Sequence, residues 1–191
     1  MNNIAAMDRH LNMRKELLAS TTATHIYCDA SFKNDIMISG ILVIGPGHDK
    51  TICKRIKNHR NNVISAEIEA IEMALKYAKE NHLKETIIHT EIDSVLHAYP
   101  FLVVLGKYKI QSIPKEHRQI ANEHQPFWKH FRYIHQKCYK IIINKVRSVD
   151  NPAHSIVCKE RDRIIEKEKY SNPLKWWAIK TGSYLIKWGN S

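Results

Sequence analysis

The segment at residues 61–78, "NNVISAEIEAIEMALKYA", predicts an amphipathic helix with an acid on its buried face. Its apolar positions recur at helical spacing and form one stripe, made of Ile64, Ile68, Ile71, Leu75 and Ala78. Glu67 falls inside that stripe, three residues after Ile64 and four before Ile71. A carboxylate on a buried face is costly unless a partner satisfies it, so Glu67 needs a partner from elsewhere in the fold.

Strand-like segments flank this helix on both sides. Three of them precede it, at residues 24–31, 35–47 and 50–58, with short links that predict an antiparallel meander. Two more follow, at 84–93 and 140–147, separated by helical segments, and a last helix spans about 151–169. The order β-β-β-α-β-α-β-α predicts an α/β fold, a mixed five-stranded sheet with helices on its faces. Strands four and five should run parallel to strand one.

Two further acids follow apolar strand segments. Asp29 is expected to end the first strand, directly after "IYC", and Asp93 to end the fourth. If these strands are parallel neighbours, both carboxylates emerge at the same edge of the sheet, where ligands bind in α/β folds. Taken singly, each acid also fits a turn or helix-cap position, and Glu67 also fits an ion pair with Lys or Arg.

A shared position for all three acids indicates divalent cations. Converging carboxylates repel one another, and hard oxygen ligands suit Mg²⁺. Two such ions about 4 Å apart stabilise the attacking and leaving oxygens of a phosphodiester displacement. The three acids, Asp29, Glu67 and Asp93, are therefore candidate metal ligands.

Charge favours a polyanionic partner. The chain carries 30 Lys and Arg against 19 Asp and Glu, a formal net charge of +11. No acid occurs between Glu123 and Asp150, and a second basic run covers 50–60. Such runs are also found on ordinary solvated faces, but this excess favours a surface that follows phosphates.

The remaining composition indicates a cytoplasmic protein. No apolar run is long enough to span a membrane, and the N-terminus lacks a secretory apolar region. The four cysteines show no C-x-x-C spacing, which is typical of reduced thiols. Cys158 follows His154 by four residues, but two ligands do not define a zinc site, and ordinary packing is the favoured interpretation.

Three motifs in order resemble the type 1 ribonuclease H family within the ribonuclease-H-like fold. They are "YCDAS" at 27–31, "SAEIEAIEMAL" at 65–75 and "IDS" at 92–94. The resemblance implies a ribonuclease-H-like domain at 23–169, preceded by a helical extension at 1–22. A Trp- and Lys-rich appendage follows at 170–191. Its aromatic residues either pack on the core or a protein partner, which is the favoured interpretation, or stack on bases.

The resemblance also implies roles for particular residues. Asp29 would bridge two Mg²⁺ or Mn²⁺ ions, and Glu67 and Asp93 would complete the shell of one of them. Glu67 would also lie near a ribose 2′-OH, which distinguishes RNA from DNA. The candidate nucleic-acid contacts are Ser31, Asn62, Ser94, Lys129, Arg132 and Arg147.

The last motif departs from the family pattern. The segment "VRSVDNPAHSIV" at 146–157 has His154 where the family has its final Asp, as some plant-type relatives do. Neutral His binds Mn²⁺ or Zn²⁺ better than Mg²⁺. Asp150 either replaces the missing carboxylate as a catalytic residue or caps the following helix.

These features lead to one main function hypothesis and two alternatives. The first is a metal-dependent endonuclease that hydrolyses the RNA strand of RNA–DNA hybrids by a two-metal-ion mechanism. The second is a catalytically degenerate domain that binds hybrid or structured nucleic acid without cleavage. A DNA-directed nuclease of the same fold is the third, and the Ala66-Glu67 helix argues against it. None of the three involves a membrane.

Overall fold

The computed structural model describes residues 22–57, 63–92 and 140–171, together with positions 12 and 16. Its strands are β1 (Thr24–Lys33), β2 (Ile36–Gly45), β3 (His48–Ile56), β4 (Glu85–Thr90) and β5 (Lys140–Lys145). Its helices are α1 (Val63–Glu80) and α2 (Pro152–Ser171), and a 3-10 turn at Ser148–Asp150 precedes α2. Each of these strands and helices was predicted from the sequence, with ends that differ by a few residues.

The sheet has five strands in the order β3-β2-β1-β4-β5. Strands β1 to β3 pair antiparallel, β4 pairs parallel with β1, and β5 pairs parallel with β4. The first hairpin turns at Asn34 and Asp35, both with positive φ, as a tight two-residue turn requires. The predicted mixed five-stranded sheet is confirmed, with the meander followed by two parallel strands.

The two helices cover opposite faces of the sheet. Helix α1 packs through Ile68, Ile71 and Leu75 on one layer of the core, which includes Ile26 and Ile41. Helix α2 packs through Ala153 and Val157 against the alternate residues of β1 and β2, namely Tyr27, Leu42, Ile44, Ile36 and Ile38. Successive strand residues point to opposite faces, so β1 and β2 are covered on both sides. All ten residues of β2 are accordingly buried.

The apolar stripe predicted for the 61–78 segment is confirmed except at its first position. Ile68, Ile71, Leu75 and Ala78 are buried, and so is Glu67. Ile64, in the first turn of α1, is 37% exposed, and the buried residues of the helix begin at Ala66. The acid on the apolar face is therefore a real structural feature.

Within the described ranges, no helix is long and apolar enough to cross a membrane. Cys28, Cys53 and Cys158 are free thiols. Cys138 lies outside the described residues, and so do nearly all of the predicted helical extension at 1–22 and of the appendage at 170–191.

Gly40 on β2 allows α2 to approach the sheet closely. It pairs with Asp29 across the β1–β2 ladder. A Cβ atom at this position would lie 2.5 Å from Val157 Cγ1 and 3.1 Å from Cys53 Sγ. Because Val157 is fully buried, its side chain has little room to move aside.

We expect Gly40→Ala to destabilise the fold by about 1–3 kcal/mol, the usual cost of overpacking a core. Thermal or urea unfolding of the variant would measure the loss. In a Val157→Ala background the same substitution should cost much less, because the colliding methyl group is gone. An equal loss in both backgrounds would show that Val157 does not set the limit.

Candidate active site

Asp29 lies inside β1 and not at its end, which corrects the sequence-based expectation. The strand continues to Lys33, and Asp29 pairs with Gly40 of β2. On its other side, β4 pairs with β1 only up to Tyr27 and His89, and it ends at Thr90. The carboxylate therefore sits beside the point where β4 stops, so the sheet edge that borders the site is the carboxyl end of β4.

Glu67 of α1 contacts Asp29 directly. Burial raises the pKa of Glu67 to about 9, and the charge of Asp29, a hydrogen bond with Asp29 and the charge of Glu91 act in the same direction. At neutral pH Glu67 is therefore protonated and donates to the Asp29 carboxylate. The two carboxyl groups together carry one negative charge, because both are too far removed from solvent to be ionised at the same time.

Glu67 is also incompletely satisfied. It is 9% exposed, and its Oε2 finds no hydrogen-bond partner among the described residues. A buried carboxyl oxygen without a partner costs about 1–3 kcal/mol. An added cation would remove this cost and the repulsion between the two acids together, so this donor set fits a hard divalent ion.

His154 reaches Asp29 from α2. Its Nδ1 lies 2.9 Å from Asp29 Oδ2, and about half of its side chain is exposed, against 3% for Asp29. The pKa of Asp29 is raised by burial and by the charge of Glu91, while His154 and the hydrogen bond from Glu67 act in the opposite direction. Asp29 is thus contacted by Glu67 from one helix and by His154 from the other.

Glu91 is a site residue that the sequence analysis missed. It follows the last residue of β4, two positions after His89, the partner of Tyr27. Asp29 also follows Tyr27 by two positions, so the parallel register brings the two acids side by side. One ligand atom each from Asp29, Glu91 and His154 lies within 4.8 Å of the others. The "TEIDS" segment contains two acids, of which the structure describes Glu91, and the register of β1 and β4 places it beside Asp29.

Asn151 joins the parts of this site. It is 1% exposed, and its Nδ2 donates to Cys28 O at 2.9 Å and to Glu91 Oε1 at 3.0 Å. Its Oδ1 accepts from the backbone N–H of Ala153 at 3.1 Å, which makes it the N-cap of α2. An Asn directly before the Pro at the first helical position was a usable sequence signal for this cap.

Of the other predicted site residues, three lie in the described part of the chain, namely Ser31, Arg147 and Asp150. Asp150 caps nothing, since Asn151 takes that position, and it forms an ion pair with Arg147 at 2.6 Å. Ser31 is buried, and its hydroxyl accepts a hydrogen bond from Arg161. The remaining predicted residues lie outside the described part of the chain, namely Asn62, Asp93, Ser94, Lys129 and Arg132.

The raised pKa of Glu67 makes a prediction for stability without metal. In the unfolded chain its pKa is near 4.5, and in the fold it is about 9. Its contribution to stability is complete below pH 4.5 and falls as pH rises toward 9. The fall should approach about 1.4 kcal/mol per pH unit for one proton.

Urea unfolding in EDTA across this pH range, compared with Glu67→Gln, would measure that contribution. The variant cannot ionise at this position, so the difference between the two proteins should grow with pH in its favour. A difference that does not change with pH would mean that Glu67 is charged in the fold.

Comparison with known structures identifies the fold. LC11-RNase H1, isolated from compost by a metagenomic approach, superposes with a TM-score of 0.54 at 12% identity over 76% of this chain and 99% of that one. The same protein in complex with an RNA/DNA hybrid gives 0.54 at 13% identity, over 74% and 99%. Foamy viral protease-reverse transcriptase in complex with dsDNA gives 0.50 at 19% identity, over 73% and 92%.

No protein-family model matches the sequence, and no curated protein is significantly similar to it. The chain nevertheless has the ribonuclease-H-like fold, as the three motifs predicted.

Proposed function

We propose that this protein is a metal-dependent endonuclease that hydrolyses the RNA strand of RNA–DNA hybrids. The observation that carries the proposal is the buried, partly unsatisfied Glu67 carboxyl in contact with Asp29. An ordinary core has no use for two acids in this arrangement, whereas a cation site requires them. The fold supports the substrate class, because LC11-RNase H1 has this fold and forms a complex with an RNA/DNA hybrid.

In this proposal Asp29 occupies the centre of a site for two divalent ions, Mg²⁺ or Mn²⁺. It would bridge the ion held with Glu67 and the ion held with Glu91 and His154. Bound there, such ions activate water and stabilise the charge that develops on a phosphodiester. Because imidazole suits Mn²⁺ better than Mg²⁺, we expect higher activity with Mn²⁺.

The basic residues on β3 contribute less to substrate binding than their number indicates. Lys54 forms an ion pair with Glu69, and Arg55 forms one with Glu168. Lys140 and Arg147 are likewise paired, with Glu85 and Asp150. We therefore assign the main phosphate contacts to the basic segment before β5, with Lys129 and Arg132 as the candidates, and Asn62 and Ser94 as further contacts.

Asp29→Asn should lower the hydrolysis of a labelled RNA–DNA hybrid by at least about 100-fold, because several kcal/mol of transition-state stabilisation would be lost. Glu67→Gln should have a similar effect. Glu80→Gln is a matched control, since Glu80 lies on the same helix and its only described ion pair is an exposed one with Lys76. Its activity should stay within about twofold of wild type.

Circular dichroism and thermal unfolding would confirm that each variant folds. A folded Asp29→Asn protein with full activity would refute the proposed site.

Glu91 and Asp93 compete for the role of third carboxylate. If Glu91 holds the ion, Glu91→Gln should reduce cleavage by at least about 100-fold, and Asp93→Asn should reduce it much less. Activity at saturating Mn²⁺ and the Mn²⁺ concentration at half-maximal activity would be measured for both. The reverse order of effects would favour Asp93, the residue that matches the family motif.

One observation favours the alternative of binding without cleavage. His154 is hydrogen-bonded to Asp29 Oδ2, an oxygen that a bridging ion would need. A degenerate domain would bind hybrid with the same affinity in wild type and in Asp29→Asn, with no turnover in Mg²⁺ or Mn²⁺. Direct binding measurements on the two proteins, run beside the cleavage assay, would separate the alternatives.

A further inference from the structure

His154 and Cys158 lie one turn apart on α2 and present their polar atoms to each other. The distance from His154 Nε2 to Cys158 Sγ is 3.8 Å. The other ring nitrogen, Nδ1, is held by Asp29 Oδ2 at 2.9 Å. Neither side chain belongs to the buried core, since His154 is exposed and Cys158 is half-buried. Ordinary packing, the interpretation favoured from the sequence, does not by itself account for this polar contact at the surface.

This spacing suits a tetrahedral ion bound by one nitrogen and one sulfur. Bonds of about 2.3 Å to sulfur and about 2.0 Å to nitrogen, at a tetrahedral angle, separate the two ligand atoms by about 3.5 Å. A small change of side-chain torsion would close the difference from 3.8 Å. The contact between Asp29 and Nδ1 is the usual outer partner of a metal-binding imidazole, because it fixes the tautomer that leaves Nε2 free.

We propose that His154 Nε2 and Cys158 Sγ form a binding site for thiophilic divalent ions such as Zn²⁺ and Cd²⁺. The remaining coordination positions would be filled by water. On binding, the thiol proton passes to solvent and a metal–sulfur bond forms, with no change in oxidation state. This site differs in chemistry from the carboxylate site, whose proposed ligands are the oxygens of Asp29, Glu67 and Glu91 together with the opposite ring nitrogen of His154.

The surroundings of Cys158 suit a bound thiolate. Arg161 Nη1 lies 3.8 Å from Cys158 Sγ, and Ser31 Oγ lies 3.4 Å from it. The guanidinium repels a nearby cation, but its N–H donates to the sulfur, and the charge of the thiolate offsets the repulsion. Arg161 is itself held in place by Asp162.

Occupation of this site would affect the carboxylate site through His154. An ion on Nε2 keeps the proton on Nδ1, directed at Asp29 Oδ2. A protonated Nδ1 cannot also hold the ion proposed between Asp29, Glu91 and His154, and Oδ2 would be less available to a hard cation. Zn²⁺ or Cd²⁺ should consequently raise the Mn²⁺ concentration that the carboxylate site needs.

The test is a titration of the full, metal-free chain with Cd²⁺, without nucleic acid, followed by thiolate-to-metal charge-transfer absorption. We expect saturation at one equivalent. Cys158→Ala should abolish the signal, and Asp29→Asn should weaken binding by about 10–100-fold, the usual loss when the outer partner of a ligand is removed. Cys53→Ala and Cys138→Ala are the matched controls and should titrate like wild type.

Protection from alkylation provides a second measurement on the unmutated protein. Zn²⁺ should slow the modification of Cys158 by iodoacetamide, measured by peptide mass spectrometry, and leave Cys53 unaffected. An unchanged Cd²⁺ titration in Cys158→Ala, or loss of the signal in a control variant instead, would overturn the proposal. Equal alkylation of Cys158 with and without Zn²⁺ would do the same. Because no step uses nucleic acid, a failure here is distinguishable from a failure of hybrid cleavage.

Discussion

The contact between the Asp29 and Glu67 carboxyls is the constraint on which the functional part of this fold depends. Two acids removed from water cannot both be charged at close range, so the pair must hold either a proton or a cation. Burial and the charge of Asp29 raise the pKa of Glu67 to about 9, and one of its oxygens has no partner among the described residues. A fold selected only for stability would replace such a pair with apolar residues.

Helix α2 adds further polar side chains to this pair of acids. Its position is set at two points, where Asn151 bonds Cys28 O and Glu91, and where Val157 packs over Gly40. His154 lies between Asn151 and Val157 in the sequence. The contacts of these two residues fix the helix on either side of His154 and so direct its imidazole at Asp29. A glycine on β2 and a buried amide at the start of α2 therefore help to position His154 at the site.

Two kinds of ligand meet at His154. On one side it contacts a carboxylate that suits hard ions, and on the other a thiol that suits thiophilic ones. The ring has only two nitrogens, so what binds at Nε2 decides whether Nδ1 carries the proton toward Asp29. An Asp at this position, as the family motif has, would lack this second contact. If both proposed sites bind metal, His154 would link metal preference at the carboxylate site to the state of Cys158.

The sequence by itself determined the order of strands and helices and the anomaly of Glu67. Hydrophobic periodicity is a local property, and the described elements of this chain are long and strongly patterned. It also singled out Asp29 and His154 from short motifs, and in the structure His154 Nδ1 lies 2.9 Å from Asp29 Oδ2. It did not point to Glu91, because the position of Glu91 beside Asp29 depends on the register between β1 and β4, which are about sixty residues apart in the chain. Nor could it show that His154 and Cys158 face each other in solvent, since helical spacing alone is equally consistent with packing. Only the tertiary structure decided these points, because each depends on where one element ends relative to another that is distant in the chain.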